Sequence, residues 1–221
     1  MDLSKSFEYF SPNDVKGQVH VLGCGSVGSA VAELLARLGI DEKIHLWDFD
    51  KVESHNLVNQ MFNDADVGSF KVDATERLWK AINPMAKITK HPKGWNGERL
   101  SGYVFLAVDN IDLRREICKK NRMNPMMKAL FDFRTGLESG QCYAADWSNL
   151  TQIDNLLESM AFSHDEAKAN TPVTACGLAL GLAPTVRGCV LLGVCNFMNF
   201  IKKSYPLQQI MVFNPFKADI Y

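Results

Sequence analysis

The segment Gly23-Cys24-Gly25-Ser26-Val27-Gly28 constrains this chain more than any other. It follows an apolar run at residues 18–22 and leads into residues 27–38, where Val27, Val31, Leu34, Leu35 and Leu38 recur at helical spacing and Gly39 supplies a C-terminal cap. Glycines between a strand and a helix have separate physical roles. Gly23 permits the turn, Gly25 lets backbone approach a phosphate, and Gly28 lets the helix pack closely. The unpaired N–H groups at the start of that helix, where Ser26 stands, favour an anion. Small residues are common in any tight turn, so the glycines alone are a weak signal. Their place in a βα unit, with Asp48 twenty residues beyond Gly28 at the end of the next strand, favours nucleotide binding.

The rest of the chain continues the alternation of short β-branched runs and amphipathic stretches. Residues 43–47 read as the second strand, 50–63 as a polar loop, and 69–82 as a helix ending before Asn83-Pro84. Residues 86–91 read as strand three. Residues 103–108 are apolar on consecutive positions, as in a strand buried on both faces, and a charged helix follows over 112–122. Residues 129–133 and 141–146 suggest an antiparallel pair, 148–171 a polar crossing segment with one or two helices, and 209–213 a last strand. The expected fold is α/β and Rossmann-like: a mostly parallel twisted sheet, helices on both faces, antiparallel strands in the C-terminal half. Residues 1–221 read as one domain, with a nucleotide-binding half over 1–134 and the remainder over 135–221.

Composition removes several alternatives. A formal net charge of −1 offers no field for a polyanion, so a nucleic-acid partner is not expected. Residues 175–201 are apolar enough to suggest a membrane span, but Pro184 divides them, Arg187 lies near the middle, and Asn196 and Asn199 follow. We expect a pair of core helices there and no membrane partner. The first residues lack the apolar core of a signal peptide, and the six cysteines read as reduced thiols, so the expected setting is cytoplasmic. No two cysteines are three positions apart, so no structural zinc is expected.

Asp48 would accept hydrogen bonds from ribose hydroxyls, a role that suits NAD and ATP equally. With strand order 3-2-1-4, Asp109 and Asn110 after strand four come near the phosphates. A carboxylate there repels triphosphate unless it holds a cation, which suggests Mg2+ and favours ATP. The alternative role for Asp109 is to cap the helix beginning near Ile111.

At this point the sequence resembles the ThiF/MoeB/HesA family of ubiquitin-activating-enzyme-like adenylyltransferases, over residues 17–121 and more weakly to the end. The matching pieces are the glycine loop, Asp48-Phe49-Asp50-Lys51-Val52-Glu53, Asn56-Leu57-Val58-Asn59-Gln60, Val67-Gly68 leading to Lys71, Ile82-Asn83-Pro84, and Asp109-Asn110. The resemblance implies an ATP site in which Asp48 binds ribose, Asn56 and Lys71 contact phosphates, and Asp109 holds Mg2+ opposite the reacting carboxylate, with Asp50, Asn59, Gln60 and Asn110 along its wall. It implies adenylation of the C-terminus of a small ubiquitin-like or sulfur-carrier protein, by a homodimer. Lys71 is the expected catalytic cation, although a helix lysine is ordinarily a surface charge. Asn59 stands where the family usually has Arg; Arg37, Arg114 or Arg115 are candidates to compensate, with the helix surface as their ordinary place. The paired CxxC motifs and the N-terminal arginine segment are also absent. Cys176 falls where some members carry a reactive thiol, although a buried, inert cysteine is the commoner situation. An NAD-dependent oxidoreductase and a nucleotide- or peptide-binding module without turnover are the other functions considered.

Overall fold

The central strands are apolar on consecutive positions because both their faces are covered. β1 (Val19–Leu22) and β4 (Gly102–Leu106) are buried throughout and pair in parallel, Val19 opposite Tyr103 and Leu22 opposite Leu106. The structure, a computed structural model, describes residues 1–173, 175 and 180–217. β2 (Ile44–Trp47) flanks β1 on its other side, and β3 (Ile88–His91) lies beyond it, both parallel. β5 (Met127–Thr135) extends the parallel part past β4, and β6 (Gly140–Asp146) and β7 (Ile210–Phe213) complete the sheet antiparallel. The order is β3-β2-β1-β4-β5-β6-β7, the Rossmann-like mixed sheet expected from the sequence.

Helices cover both faces, as the apolar patterns require. α1 (Ser26–Arg37), α2 (Lys71–Ile82) and α6 (Ala183–Lys202) bury Val31, Leu35, Val72, Trp79, Val190 and Phe197 with the side of the sheet that carries Val21, Phe105 and Phe131. α3 (Ile111–Asn121) and α4 (Leu150–Glu158) bury Ile117 and Ile153 with Leu22, Leu106 and Leu130 on the other side. A short α5 (His164–Ala169) follows α4. α1 stops at Arg37 because Gly39 takes a left-handed φ of 82°, which ends a helix at little steric cost.

Of the helix pair expected over 175–201, the second member is α6, one 20-residue helix with Pro184 in its first turn, where the missing N–H costs nothing; residues 176–179, where the first would fall, lie outside the described residues. By length and composition α6 could span a bilayer, yet half of it is buried inside the fold. Arg187 is on its exposed face, and buried Asn196 pairs with both backbone groups of Gln208, fixing the turn into β7.

Three histidines and a tryptophan stack across β1, β2 and β3. Trp47 lies on His91 with ring centroids 3.4 Å apart, and His20 on His45 at 4.6 Å. Trp47 Nε1 donates to His20 Nδ1 at 3.2 Å, so that nitrogen must be bare. Burial first, then the neighbouring His45 and His91, lowers the His20 pKa to about 3. Its folded value lies below the unfolded value of about 6.5, so folding excludes a proton. The associated stability is complete above pH about 6.5 and is lost as pH falls from there toward the folded value. In urea unfolding between pH 6.5 and 4.5, the chain should therefore lose up to about 1.4 kcal/mol per pH unit more than a His20→Gln variant.

Candidate functional site

The sheet reverses its winding between β1 and β4: the chain leaves β1 into α1 on one face and leaves β4 into α3 on the other. A crevice opens outside the carboxyl ends of the two strands, the usual ligand position in such sheets. Two glycines shape its floor. Gly23 has φ 87°, and a Cβ on it would stand 2.7 Å from the Ala107 carbonyl carbon and oxygen; a Cβ on Gly28 would stand 1.8 Å from the Gly23 carbonyl oxygen. Gly25 differs, since a Cβ there would meet nothing within 4 Å. Its backbone faces open space. Gly25 is also the N-cap of α1 and supplies no side-chain cap, and the N–H groups of Gly25, Ser26, Val27 and Gly28 have no protein partner among the described residues. They form an anion-accepting helix start.

A continuous set of hydrogen bonds ties this loop to the next two candidate residues. Cys24 N donates to Asp48 Oδ2 at 2.7 Å, Asp50 N donates to Asp48 Oδ1 at 2.8 Å, and Lys71 Nζ donates to Asp50 Oδ2 at 2.8 Å. Asp50 holds Lys71 at both ends, because its carbonyl also accepts from Lys71 N at 2.8 Å. Burial raises the Asp48 pKa, opposed by the two amides it accepts and by Lys71. Lys71 is 9% exposed, so it is not the solvated helix lysine that its type suggests. Buried lysines need a partner, and Asp50 is that partner. Cys24 is fully buried behind the loop, where desolvation and Asp48 push its thiol pKa up, so it is no nucleophile.

The loop after Asp50 forms short 3-10 turns. Asn56 closes a capping box with Glu53, its Oδ1 accepting from Glu53 N at 3.0 Å. Asn59 is half-buried, and its Nδ2 lies 3.0 Å from where a Cβ on Gly181 would be, so the chain returning from the crossing segment passes against it. Gln60 Oε1 is buried without a partner among the described residues. Met61 N donates to Ser29 Oγ at 3.1 Å and anchors the loop to α1.

Asp109 follows β4, is exposed, and has no ion pair or hydrogen-bond partner among the described residues. It is not the helix cap. Asn110 takes that role, its Oδ1 accepting from Asp112 N and Leu113 N. The three arginines weighed as substitutes at Asn59 go elsewhere. Arg37 pairs with Glu33 on α1, and Arg115 binds the Met160 carbonyl. Arg114 is buried rather than on a helix surface, its guanidinium engaged by Val108 O, Phe133 O and Asp132. Asp132 and Arg134 escaped the sequence reading, although a charge between Phe131 and Phe133 in an apolar strand was the available signal. Cys176 lies outside the described residues. A groove of about 960 Å³, lined by Lys16, Tyr103, Met127, Lys128 and Tyr205, opens at the other end of the strands and contains none of the candidate residues.

The chain is similar to known proteins in sequence and in fold. The sequence model of the ThiF family matches residues 15–213. Ubiquitin-like modifier-activating enzyme 5 of Drosophila willistoni is 36% identical over 112 residues, 51% of this chain and 24% of that protein. The Xenopus laevis protein of the same name is 42% identical over 73 residues, 33% of this chain and 18% of that one. The chain thus spans about a quarter or less of these relatives' length. Among solved structures, PaaA superposes with a TM-score of 0.72 at 15% identity, covering 94% of this chain and 64% of PaaA. E. coli MccB with ATP gives 0.71 at 17% identity, covering 95% of this chain and 64% of MccB. These two likenesses show the fold.

The glycine geometry separates two substitutions. Gly28→Ala should lower the unfolding free energy by about 1–3 kcal/mol in urea titration, because backbone must move. Gly25→Ala should change it by less than about 0.5 kcal/mol while weakening ATP binding, measured by calorimetric titration, by about tenfold as the methyl enters the phosphate approach.

Proposed function

The chain belongs to the ThiF family, and from that premise we propose that it is an ATP-dependent adenylyltransferase acting on the C-terminal carboxylate of a small ubiquitin-like or sulfur-carrier protein. The observation that carries the proposal is the bonded series Cys24–Asp48–Asp50–Lys71, which gathers a carboxylate and a buried cation at the glycine loop. The names of similar proteins support the class: two are modifier-activating enzymes, and MccB has been solved with ATP and with MccA.

In this proposal the free N–H groups of residues 25–28 receive phosphate oxygens, and the helix start adds its partial positive charge. Asp48 accepts from the ribose hydroxyls while its amide partners keep it oriented. Lys71, at the start of α2, neutralises charge on the phosphates, and Asn56, on the loop between β2 and α2, contacts them as well. The substrate carboxylate oxygen bonds to the α-phosphorus as the bond from that phosphorus to the bridging oxygen breaks, and pyrophosphate leaves with the electron pair. Positioning and charge neutralisation supply the rate. The exposed, unpaired Asp109 fits a single-carboxylate Mg2+ site completed by phosphates, the usual manner for that ion. Among the described residues no cluster of three ligating side chains forms a metal cage. Bound there, Mg2+ would offset negative charge on the phosphates. Asn59 favours a second reading, a nucleotide-binding module without turnover, because the family's usual cation is absent.

ATP–pyrophosphate exchange with small carrier proteins from the same genome distinguishes the two. Exchange should appear with one carrier, fall about hundredfold or more in Lys71→Ala, and fall comparably in Asp109→Ala. ATP binding without exchange for every carrier would establish the module instead, and binding of NAD but not ATP would exclude both readings.

A further inference from the structure

Asp132 stands at the centre of β5 with no exposed surface. Its two oxygens receive different arginines: Arg114 Nη1 donates to Oδ1, and Arg134 Nε donates to Oδ2 at 2.7 Å. A carboxylate so buried persists only when paired, and these guanidiniums satisfy it from two sides. Each arginine also grips a different stretch of backbone. Arg114 Nε donates to Val108 O at 2.6 Å, and Val108 immediately precedes Asp109. Arg134 donates from Nη1 to Ser159 O and from Nη2 to Ser159 Oγ, both at 2.9 Å, and Ser159 is the C-cap of α4. The Arg134 guanidinium lies over the Tyr143 ring, its Cζ 4.1 Å from the centroid. The chain beyond α4 is the segment that comes back at Gly181 against Asn59.

We propose that Asp132 is a positioning residue, the shared anchor through which the Asp109-bearing loop and the C-terminal end of α4 are held in place together. It touches neither nucleotide nor carboxylate. Its effect runs through Arg114 on one side and Arg134 on the other. Without the Asp132 charge, buried Arg114 and partly buried Arg134 lose their shared counter-charge, so both arms loosen. The functional consequence rests on the adenylation reading, in which Asp109 must be aimed at the phosphates; the anchor itself does not.

Hydrogen exchange followed by mass spectrometry, on the full chain without nucleotide, tests this. Asp132→Asn keeps the shape and removes the charge. It should speed exchange about tenfold or more over both residues 107–111 and 159–163, with α1 unchanged. Arg134→Gln should speed only 159–163. Asp132→Asn affecting one segment alone, or raising α1 to the same degree through general loosening, would overturn the proposal. If Asp132→Asn does not fold, Arg114→Lys and Arg134→Gln read the arms singly, and an arm whose loss leaves its segment unchanged overturns it as well. Where turnover is measurable, Asp132→Asn should lower kcat for pyrophosphate exchange about tenfold with KM for ATP within about threefold, because the Asp48 side of the site is untouched. The exchange pattern is read with or without turnover, so absent pyrophosphate exchange alongside it defeats only the proposed function.

Discussion

The close approach of Gly28 to the Gly23 carbonyl, where a Cβ would stand 1.8 Å from oxygen, is the constraint on which the rest of the site depends. It lets α1 begin directly over the end of β1, so the first N–H groups of the helix point into the crevice rather than into a longer loop. Gly23 presses against Ala107 after β4 in the same way, which brings the Asp109 loop beside the glycine loop. With Gly28 against the Gly23 carbonyl and Gly23 against the Ala107 carbonyl, nothing larger than glycine fits at either contact, and the Asp48 carboxylate reaches Cys24 N.

Charge is then placed by pairing. Lys71 is buried at the start of α2, a position that would be expensive for a lone ammonium, and Asp50, half exposed on the preceding loop, stabilises it from the solvent side. Arg114, Asp132 and Arg134 form a second paired set, buried except at Arg134, whose arginines also donate to backbone carbonyls. The two sets serve different ends. Lys71 lies near Asp48 and Cys24, close enough to influence the pKa of each, whereas the guanidinium of Arg114 donates to Val108 O, Phe133 O and Asp132.

Much of the fold was legible because local periodicity and burial coincide. The consecutive apolar residues of β1 and β4, the helical spacing of α1 and the antiparallel pairing of β5 with β6 all follow from which side chains must leave water. Legibility failed where a residue type has two good uses. Asp109 and Asn110 are both favoured N-caps, and only the geometry of the turn after β4 assigns the cap to Asn110 and leaves Asp109 free. Arg114 looked like helix surface because its acceptors belong to β5 and to the loop after β4, which no local pattern reveals.

By itself, then, the sequence determined the doubly covered sheet and the glycine loop at the end of β1. These are short-range properties: steric freedom at glycine, hydrophobic spacing, and residue type next to a strand end. Only the tertiary structure decided which charges are consumed and which remain available. Lys71 is buried because Asp50 reaches it, Asp109 stays unpaired because Asn110 takes the cap, and Arg114 is spent on Asp132. Each outcome depends on distances between segments far apart in the chain, and electrostatic pairing is settled by those distances rather than by residue type.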